Sequence, residues 1–275
     1  MAKKSRSHGA RAVVTGAGSG IGRAFALELA RRGGAVVCAD INLETAADTV
    51  SCIEAAGGRA LAVRCDVTVL EQVEALADRA EQWFGAPTSL LVNNAGVGIG
   101  GQRIGEFSIE DWRWTVDINQ WGMVYGCHVF VPRLRELGEG GVINVCSTAS
   151  FAAAPLMGPY NMTKAAVLAL SETLAAELSE TRIGVTALCP TFVKTNIIKD
   201  GRLPADASKL SARLMAATGM SPERVVRDTL KALDRGRLYV LPQIDARMIW
   251  RAKRLAPRSY QRLAALALRA ADRFQ

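Results

Sequence analysis

Thr15-Gly16-Ala17-Gly18-Ser19-Gly20-Ile21-Gly22 decides the fold. The short β-branched run Ala12–Thr15 precedes it. After it, Arg23–Arg32 carries Phe25, Leu29 and several alanines at helical spacing. Glycines between a strand and a helix let backbone N–H groups come close to a diphosphate, and the helix N-terminus faces its charge. Gly16, Gly20 and Gly22 are the residues expected to meet these needs, with Ser19 and Ile21 completing the contacting turn. A bare glycine motif says little. This one has a strand before it, a helix after it and an acid at the end of the next strand.

That acid is Asp40, which follows the apolar run Ala35–Ala39. A carboxylate there accepts both hydroxyls of an adenosine ribose and repels a 2′-phosphate. Neither Ser19 nor Ile41 offers the positive charge that such a phosphate needs, so the pattern favours NAD over NADP. The plainer reading of Asp40 is a carboxylate that starts a turn. Asp66 ends a further strand. It is expected at the adenine amino group, with Val67 packed on the ring, or else as a cap for the helix that follows.

Outward from this point the chain alternates. Strand-like runs at Ala60–Cys65, Leu90–Val92, Gly141–Cys146, Val185–Cys189 and Leu238–Leu241 are apolar throughout. Helical patterns separate them at Leu43–Ala56, Glu71–Trp83, Ser108–Leu137, Gly158–Ser179 and Met220–Leu233. Such an order predicts a doubly wound α/β fold, its mostly parallel sheet covered by helices on both faces. Residues 11–242 read as one catalytic domain, after a basic N-terminal tail 1–10 and before a basic amphipathic helical extension 243–275.

The chain has 275 residues and a net charge of +8. Lys3, Lys4, Arg6 and Arg11 give +4 to the first eleven residues, and residues 243–275 carry +6, so the body is nearly neutral. A nucleic-acid binder needs a contiguous basic face on its fold, and none is indicated. The six cysteines form no CxxC pair and only two histidines are present, which argues against a zinc site or a disulfide framework. No secretory signal or membrane-crossing run is found. A cytoplasmic setting fits best.

Tyr160 and Lys164 lie four apart on one face of the strongest helical pattern. A tyrosine hydroxyl titrates near 10, and a neighbouring ammonium is expected to lower that value and make the pair a proton donor and acceptor for an alcohol oxygen. Spacing alone fits a surface pair equally. Ser147, which ends the strand before this helix, places a hydroxyl at the sheet's carboxyl edge, where ligands bind. Asn119 sits inside a long helical pattern where asparagine is mildly unfavourable, so its amide is expected to support a local distortion or a water beside Lys164.

The sequence resembles the short-chain dehydrogenase/reductase family from Arg11 to about Pro242. The family's TGxxxGxG falls on Thr15–Gly22 and its NNAG on Asn93-Asn94-Ala95-Gly96. Its catalytic Asn, Ser, Tyr and Lys fall on Asn119, Ser147, Tyr160 and Lys164. The resemblance implies a seven-stranded Rossmann fold and hydride transfer between NAD and an alcohol or ketone carbon. Asn93, Ala95 and Gly96 of the NNAG motif would stabilise the central sheet beside the adenosine. Lys164 would hold the nicotinamide ribose, and Pro190, Val193 and Thr195 would meet the nicotinamide end. One departure stands out: Pro190-Thr191 replaces the Pro-Gly frequent in the family. A homodimer or homotetramer through the long helices is also implied.

Ile99, Phe151, Ala152, Met157 and Phe192 are the expected lining of an apolar substrate pocket, with Leu214 and Met215 in a lid at 196–219. No arginine cluster marks an anionic substrate, so a hydrophobic secondary alcohol or its ketone is favoured. In the extension, Pro257 should divide two helices. The second gathers Arg258, Arg262, Arg269 and Arg273 opposite Tyr260, Leu263, Ala267, Ala270, Ala271 and Phe274. Packing of this helix on protein is the first reading and contact with an anionic membrane surface the second. The alternative to an enzyme is a protein that binds NAD as a structural or sensing ligand.

Overall fold

The computed structural model describes residues 5–197 and 200–272, and the backbone alone of Leu210, Ala267, Ala270, Ala271 and Asp272. Arg273 and Phe274 of the expected helix faces, and Lys3 and Lys4 of the basic segment, lie outside the described residues.

The chain runs β1 (Arg11–Thr15), α1 (Gly20–Arg31), β2 (Ala35–Asp40), α2 (Leu43–Ala55), β3 (Arg59–Arg64), α3 (Leu70–Phe84) and β4 (Leu90–Asn93). There follow α4 (Ile109–Val116), a π-helical turn (Asp117–Trp121), α5 (Gly122–Leu137), β5 (Glu139–Val145), α6 (Ala149–Ala152), α7 (Gly158–Glu177) and β6 (Arg182–Leu188). The last elements are α8 (Ala205–Thr218), α9 (Pro222–Asp234), β7 (Tyr239–Val240), α10 (Ile244–Leu255) and α11 (Pro257–Asp272).

The seven strands form one parallel sheet in the order β3-β2-β1-β4-β5-β6-β7. This is the doubly wound Rossmann arrangement that the alternation predicts. Adjacent residues of a strand point to opposite faces, and both faces are buried. Ala12 and Val14 join Phe25, Leu29, Ile53, Val225 and Leu230 under α1, α2 and α9. Val13 joins Val73, Leu76, Phe130, Leu134 and Leu174 under α3, α5 and α7. That two-sided burial is why these strands read as unbroken apolar runs rather than alternating ones.

The order reverses between β1 and β4, which opens a crevice at the carboxyl ends of the strands. Three features of the chain bear on the site. The first helix begins at Gly20, three residues early, because the glycine turn itself forms its start. The long pattern 108–137 is broken by the π turn. From Ser5 onward the basic N-terminal segment is not a free tail. Ser7 is fully buried and donates to Asp234 Oδ2 at 2.6 Å, while Arg6 donates to the carbonyls of Arg182 and Leu233.

Candidate active site

Thr15, the last residue of β1, organises the crevice. Its hydroxyl accepts from the backbone N–H groups of Asn94 and Ala95 at 3.0 and 3.1 Å, which ties the glycine turn to the segment after β4. Asn94 closes the tie by donating from Nδ2 to the carbonyls of Thr15 and Gly16. Gly16 and Gly20 adopt φ of 63° and 54°, a left-handed region that favours glycine. At Gly22 a Cβ would collide with the carbonyl of Gly16. Gly18, absent from the expected set, is as constrained: a Cβ there would meet the Thr45 hydroxyl and, at 2.8 Å, Asp40 Oδ2.

Asp40 closes β2 against this turn. Its Oδ2 accepts from the N–H of Gly18 at 2.8 Å and its Oδ1 from that of Asn42 at 3.0 Å. The carboxylate is thus fixed in orientation at the glycine turn, and it starts the turn into α2, the plainer of its two readings. Ser19 is exposed at the N-cap of α1 and Ile21 is half-buried. A cavity of about 260 Å³ runs from this N-terminus to the loop after β6, lined by Gly20, Arg23, Lys194, Thr195 and Asn196.

Asp66 does not cap α3, whose N-cap is Val69. Its Oδ1 accepts from the backbone N–H and hydroxyl of Thr68 instead. Val67 is buried and its side chain fits against Gly122 of α5, where a Cβ would lie 2.8 Å away. Asn93 ties the central sheet together. Its side chain points into the sheet, donates to Asn144 Oδ1 at 3.0 Å, and continues through Asn144 to Ser171 in α7. Ala95 and Gly96, which follow it, do reach the crevice. A Cβ on Gly96 would stand 3.0 Å from Asn119 Oδ1 and 3.4 Å from Lys164 Nζ.

Asn119 occupies the middle of the π turn, the distortion expected of it. Its amide makes a two-sided pair with the Val97 backbone, accepting from the N–H at 2.8 Å and donating to the carbonyl at 2.9 Å. Lys164 is buried and donates from Nζ to the carbonyl of Val145 at 2.9 Å. Burial pulls its pKa down to about 8, against the thiols of Cys146 and Cys189, which raise it. Ser147 lies two residues past the end of β5, and its hydroxyl accepts from the N–H of Ala149 at 3.1 Å.

Tyr160 stands in the first turn of α7. Burial raises its pKa above the ordinary value, and the nearby Ser147 hydroxyl works in the lowering direction. This corrects one expectation. Lys164 lies 5.8 Å from the tyrosine ring centroid and is bonded to the sheet; the group that favours the phenolate is Ser147.

The expected pocket residues divide. Ile99 and Met157 gather with Tyr160, and so do Phe107, Trp112, Trp114 and Ala149, which spacing did not single out. Phe151 packs instead on the Cys146–Leu168–Cys189 core. Leu214 is 42% exposed, because α8 turns Met215, not Leu214, inward; Leu210 lies outside the described side chains. Phe192 offers its carbonyl to Met220 N–H and to Gln243 Nε2.

The loop after β6 carries Pro190, whose carbonyl accepts from Thr148 N–H at 2.8 Å, and Val193, which is buried and bridges to Met220. Thr195 abuts Gly20, whose Cβ would lie 3.0 Å from it. Thr191, at the position where the family often has glycine, donates from its hydroxyl to Asp245 in α10 at 2.8 Å and from its N–H to Gln243. The extension reaches a second loop as well. Tyr260 of α11 donates to the carbonyl of Ala152 at 2.9 Å, and a crevice of about 290 Å³ lies there between Ala152, Ala153, Pro155 and Tyr260, Ala264, Leu268.

With this geometry in place, comparison with known proteins is informative. The short chain dehydrogenase family profile matches residues 10–204. A short chain dehydrogenase/reductase from Burkholderia phymatum, solved in complex with NAD, superposes with a TM-score of 0.85 and 34% identity, over 90% of this chain and 94% of that one. The 1-deoxy-11-beta-hydroxypentalenate dehydrogenase of Streptomyces exfoliatus is 34% identical over 258 residues, 90% of this chain and 91% of the relative. The cyclohexanol dehydrogenase of Acinetobacter sp. is 36% identical over 189 residues, 69% of this chain and 75% of the relative. A mycobacterial relative named "Probable oxidoreductase EphD" is 35% identical over 92% of this chain, but the chain spans only 44% of its length. The chain belongs to the short-chain dehydrogenase/reductase family.

Proposed function

We propose that this protein is an NAD-dependent oxidoreductase that interconverts a hydrophobic secondary alcohol and its ketone. The observation that carries the reading is Tyr160, with the Ser147 hydroxyl favouring its phenolate and buried Lys164 one helical turn later, at the sheet edge that also bears the glycine turn and Asp40. Catalytic roles for Asn119, Ser147, Tyr160 and Lys164 are part of the proposal. Relatives named for dehydrogenation of alcohols support it.

The glycine turn fits a dinucleotide. Gly16 and Gly20 have the backbone conformation that exposes N–H groups at a helix N-terminus, and Arg23 and Lys194 line the adjoining cavity. Gly16, Ser19, Gly20, Ile21 and Gly22 would hold the diphosphate and Asp40 the adenosine ribose. Asp66, Val67, Ala95 and Gly96 would border the adenosine, and Pro190, Val193 and Thr195 the nicotinamide end. The fixed Asp40 carboxylate opposes a 2′-phosphate, which selects NAD over NADP.

When bound, NAD supplies the acceptor for a hydride in oxidation and its donor in reduction. The substrate oxygen sits between Ser147, which orients it, and Tyr160, which takes its proton in one direction and returns it in the other. Lys164 moves no proton at the substrate; held by the Val145 carbonyl, it would bind the nicotinamide ribose. Asn119 fixes the Val97 backbone and holds the π turn open beside Lys164. Ile99, Met157, Phe107 and Trp112 give the substrate an apolar enclosure that excludes water from the hydride path. A cytoplasmic homo-oligomer joined through its long helices belongs to the same reading.

The test is absorbance-followed oxidation of secondary alcohols, from small aliphatic to bulky polycyclic, with each cofactor. Turnover with NAD that favours the bulkier apolar members is expected. Turnover chiefly with NADP overturns the Asp40 argument. Binding of NADH with no turnover of any member overturns the enzymatic reading in favour of a sensing or structural role.

A further inference from the structure

The two terminal helices are unlike the rest of the surface. Twelve large apolar side chains are exposed among the described residues, and five of them lie in α10 and α11: Ile244 (74%), Met248 (65%), Leu255 (84%), Leu263 (65%) and Leu266 (56%). Their spacing is ordered. Ile244, Met248 and Leu255 share one face of α10 with Arg251 among them, while Ala246 on the other side is fully buried. In α11 the partly buried residues Tyr260, Ala264 and Leu268, spaced by four, face the body. Leu263 and Leu266 fall on the flank between that packed face and the face bearing Arg258, Arg262 and Arg269.

Packing therefore accounts for one side of the extension only. The alanine and tyrosine side meets protein; the leucine and arginine side meets nothing in the monomer. A patch of this kind, apolar and rimmed by charge, marks a contact surface.

The charge says what kind. Residues 243–275 hold eight arginines and lysines against two aspartates. Among the described residues, Arg251, Arg258, Arg262 and Arg269 have no carboxylate partner. A second copy of the chain would bring the same excess of positive charge to the contact and be repelled. A nucleic acid would satisfy the arginines and leave the leucines in water. An anionic lipid surface satisfies both, taking the leucines into the acyl boundary and the guanidinium groups at the headgroups.

We propose that α10 and α11 dock this protein peripherally on an anionic lipid bilayer, with Leu255, Leu263 and Leu266 inserted and Arg258, Arg262 and Arg269 at the phosphates. No helix of the described residues is long and apolar enough to cross a membrane, so the attachment is superficial.

The 275-residue chain sedimented with vesicles of equal parts phosphatidylcholine and phosphatidylglycerol tests this. Binding is expected to these vesicles, to fall with added salt, and to be slight with phosphatidylcholine alone. Arg258→Gln, Arg262→Gln and Arg269→Gln together should weaken partitioning on the order of a hundredfold. Leu255→Ser, Leu263→Ser and Leu266→Ser together should weaken it by at least about tenfold. Both variants should keep wild-type thermal unfolding, since every changed side chain lies in water in the monomer. Absence of vesicle binding overturns the proposal. So does a leucine variant that binds as tightly as wild type, because the arginines alone would then explain adsorption. Light scattering that shows the leucine variant splitting a wild-type dimer assigns the patch to a second copy and overturns it equally.

Discussion

The region from β1 to β4 and the region from β7 to α11 hold their functional groups in different ways. In the first, position comes from the backbone. Glycines with positive φ, strand ends and hydrogen bonds such as Gly18 N–H to Asp40 leave few residue types possible at each place. In the second, position comes from side chains that meet across long separations. Tyr260 reaches Ala152 over 108 residues, and Thr191 reaches Asp245 over 54. Backbone constraint leaves a mark in local spacing; contact across the chain leaves none.

The sharpest break of this comparison is Gly22→Ala. The added methyl group would run into the Gly16 carbonyl, and neither is the end of a flexible side chain. We expect NADH affinity to fall by about a hundredfold or more, or the fold to loosen, read by fluorescence titration and thermal unfolding. Unchanged affinity in a folded variant would show that the turn is less constrained than its geometry implies.

Lys164 gives the next effect, on stability. Its pKa drops from the unfolded value near 10.5 to about 8 by burial. Between pH 8 and about 10 the unfolded chain binds the extra proton, so this group's contribution makes the protein more stable as pH rises through that window and least stable below it. Lys164→Met removes the buried charge and should add about 2 kcal/mol at pH 7, after loss of the Val145 hydrogen bond. It should also abolish the rise between pH 8 and 10 in denaturant unfolding. Turnover should be lost with it, a stability gained at the expense of the site. A less stable variant at pH 7 would contradict the burial argument.

Asp40→Ser should cut the preference for NAD over NADP about tenfold, measured as the ratio of kcat/KM values. Its effect on stability should be smaller, since serine at 40 loses two carboxylate hydrogen bonds at a partly open site. Tyr260→Phe should be mildest: the Ala152 carbonyl loses its donor and the substrate loop loosens. KM for a bulky alcohol should rise a few-fold while kcat and the NADH affinity stay put. A matching loss in kcat would place Tyr260 closer to the chemistry than the structure does.

The same contrast explains what the sequence discloses. The sheet, its parallel sense and the helices on both faces follow from apolar runs alternating with helical spacing, and the structure has them. Asn119 and Lys164 both stand beside Gly96, and Tyr160 lies one turn before Lys164 in α7. The apolar enclosure is less legible. Phe107 and Trp112 reach Tyr160 from a segment about fifty residues upstream, and nothing local distinguishes them from core. Phe151 and Leu214 sit among the right neighbours in sequence but face elsewhere. Thr191 marks a departure from the family pattern whose meaning emerges only when Asp245, in the extension, is found bonded to it.

The central claim is that Tyr160 does the proton chemistry at a separately built cofactor site. Tyr160→Phe, assayed in parallel for NADH binding and for oxidation of the best alcohol, tests it most directly. We expect kcat to fall on the order of a thousandfold with NADH affinity within a few-fold of wild type. Retained turnover would contradict the account, because another group would then be moving the proton.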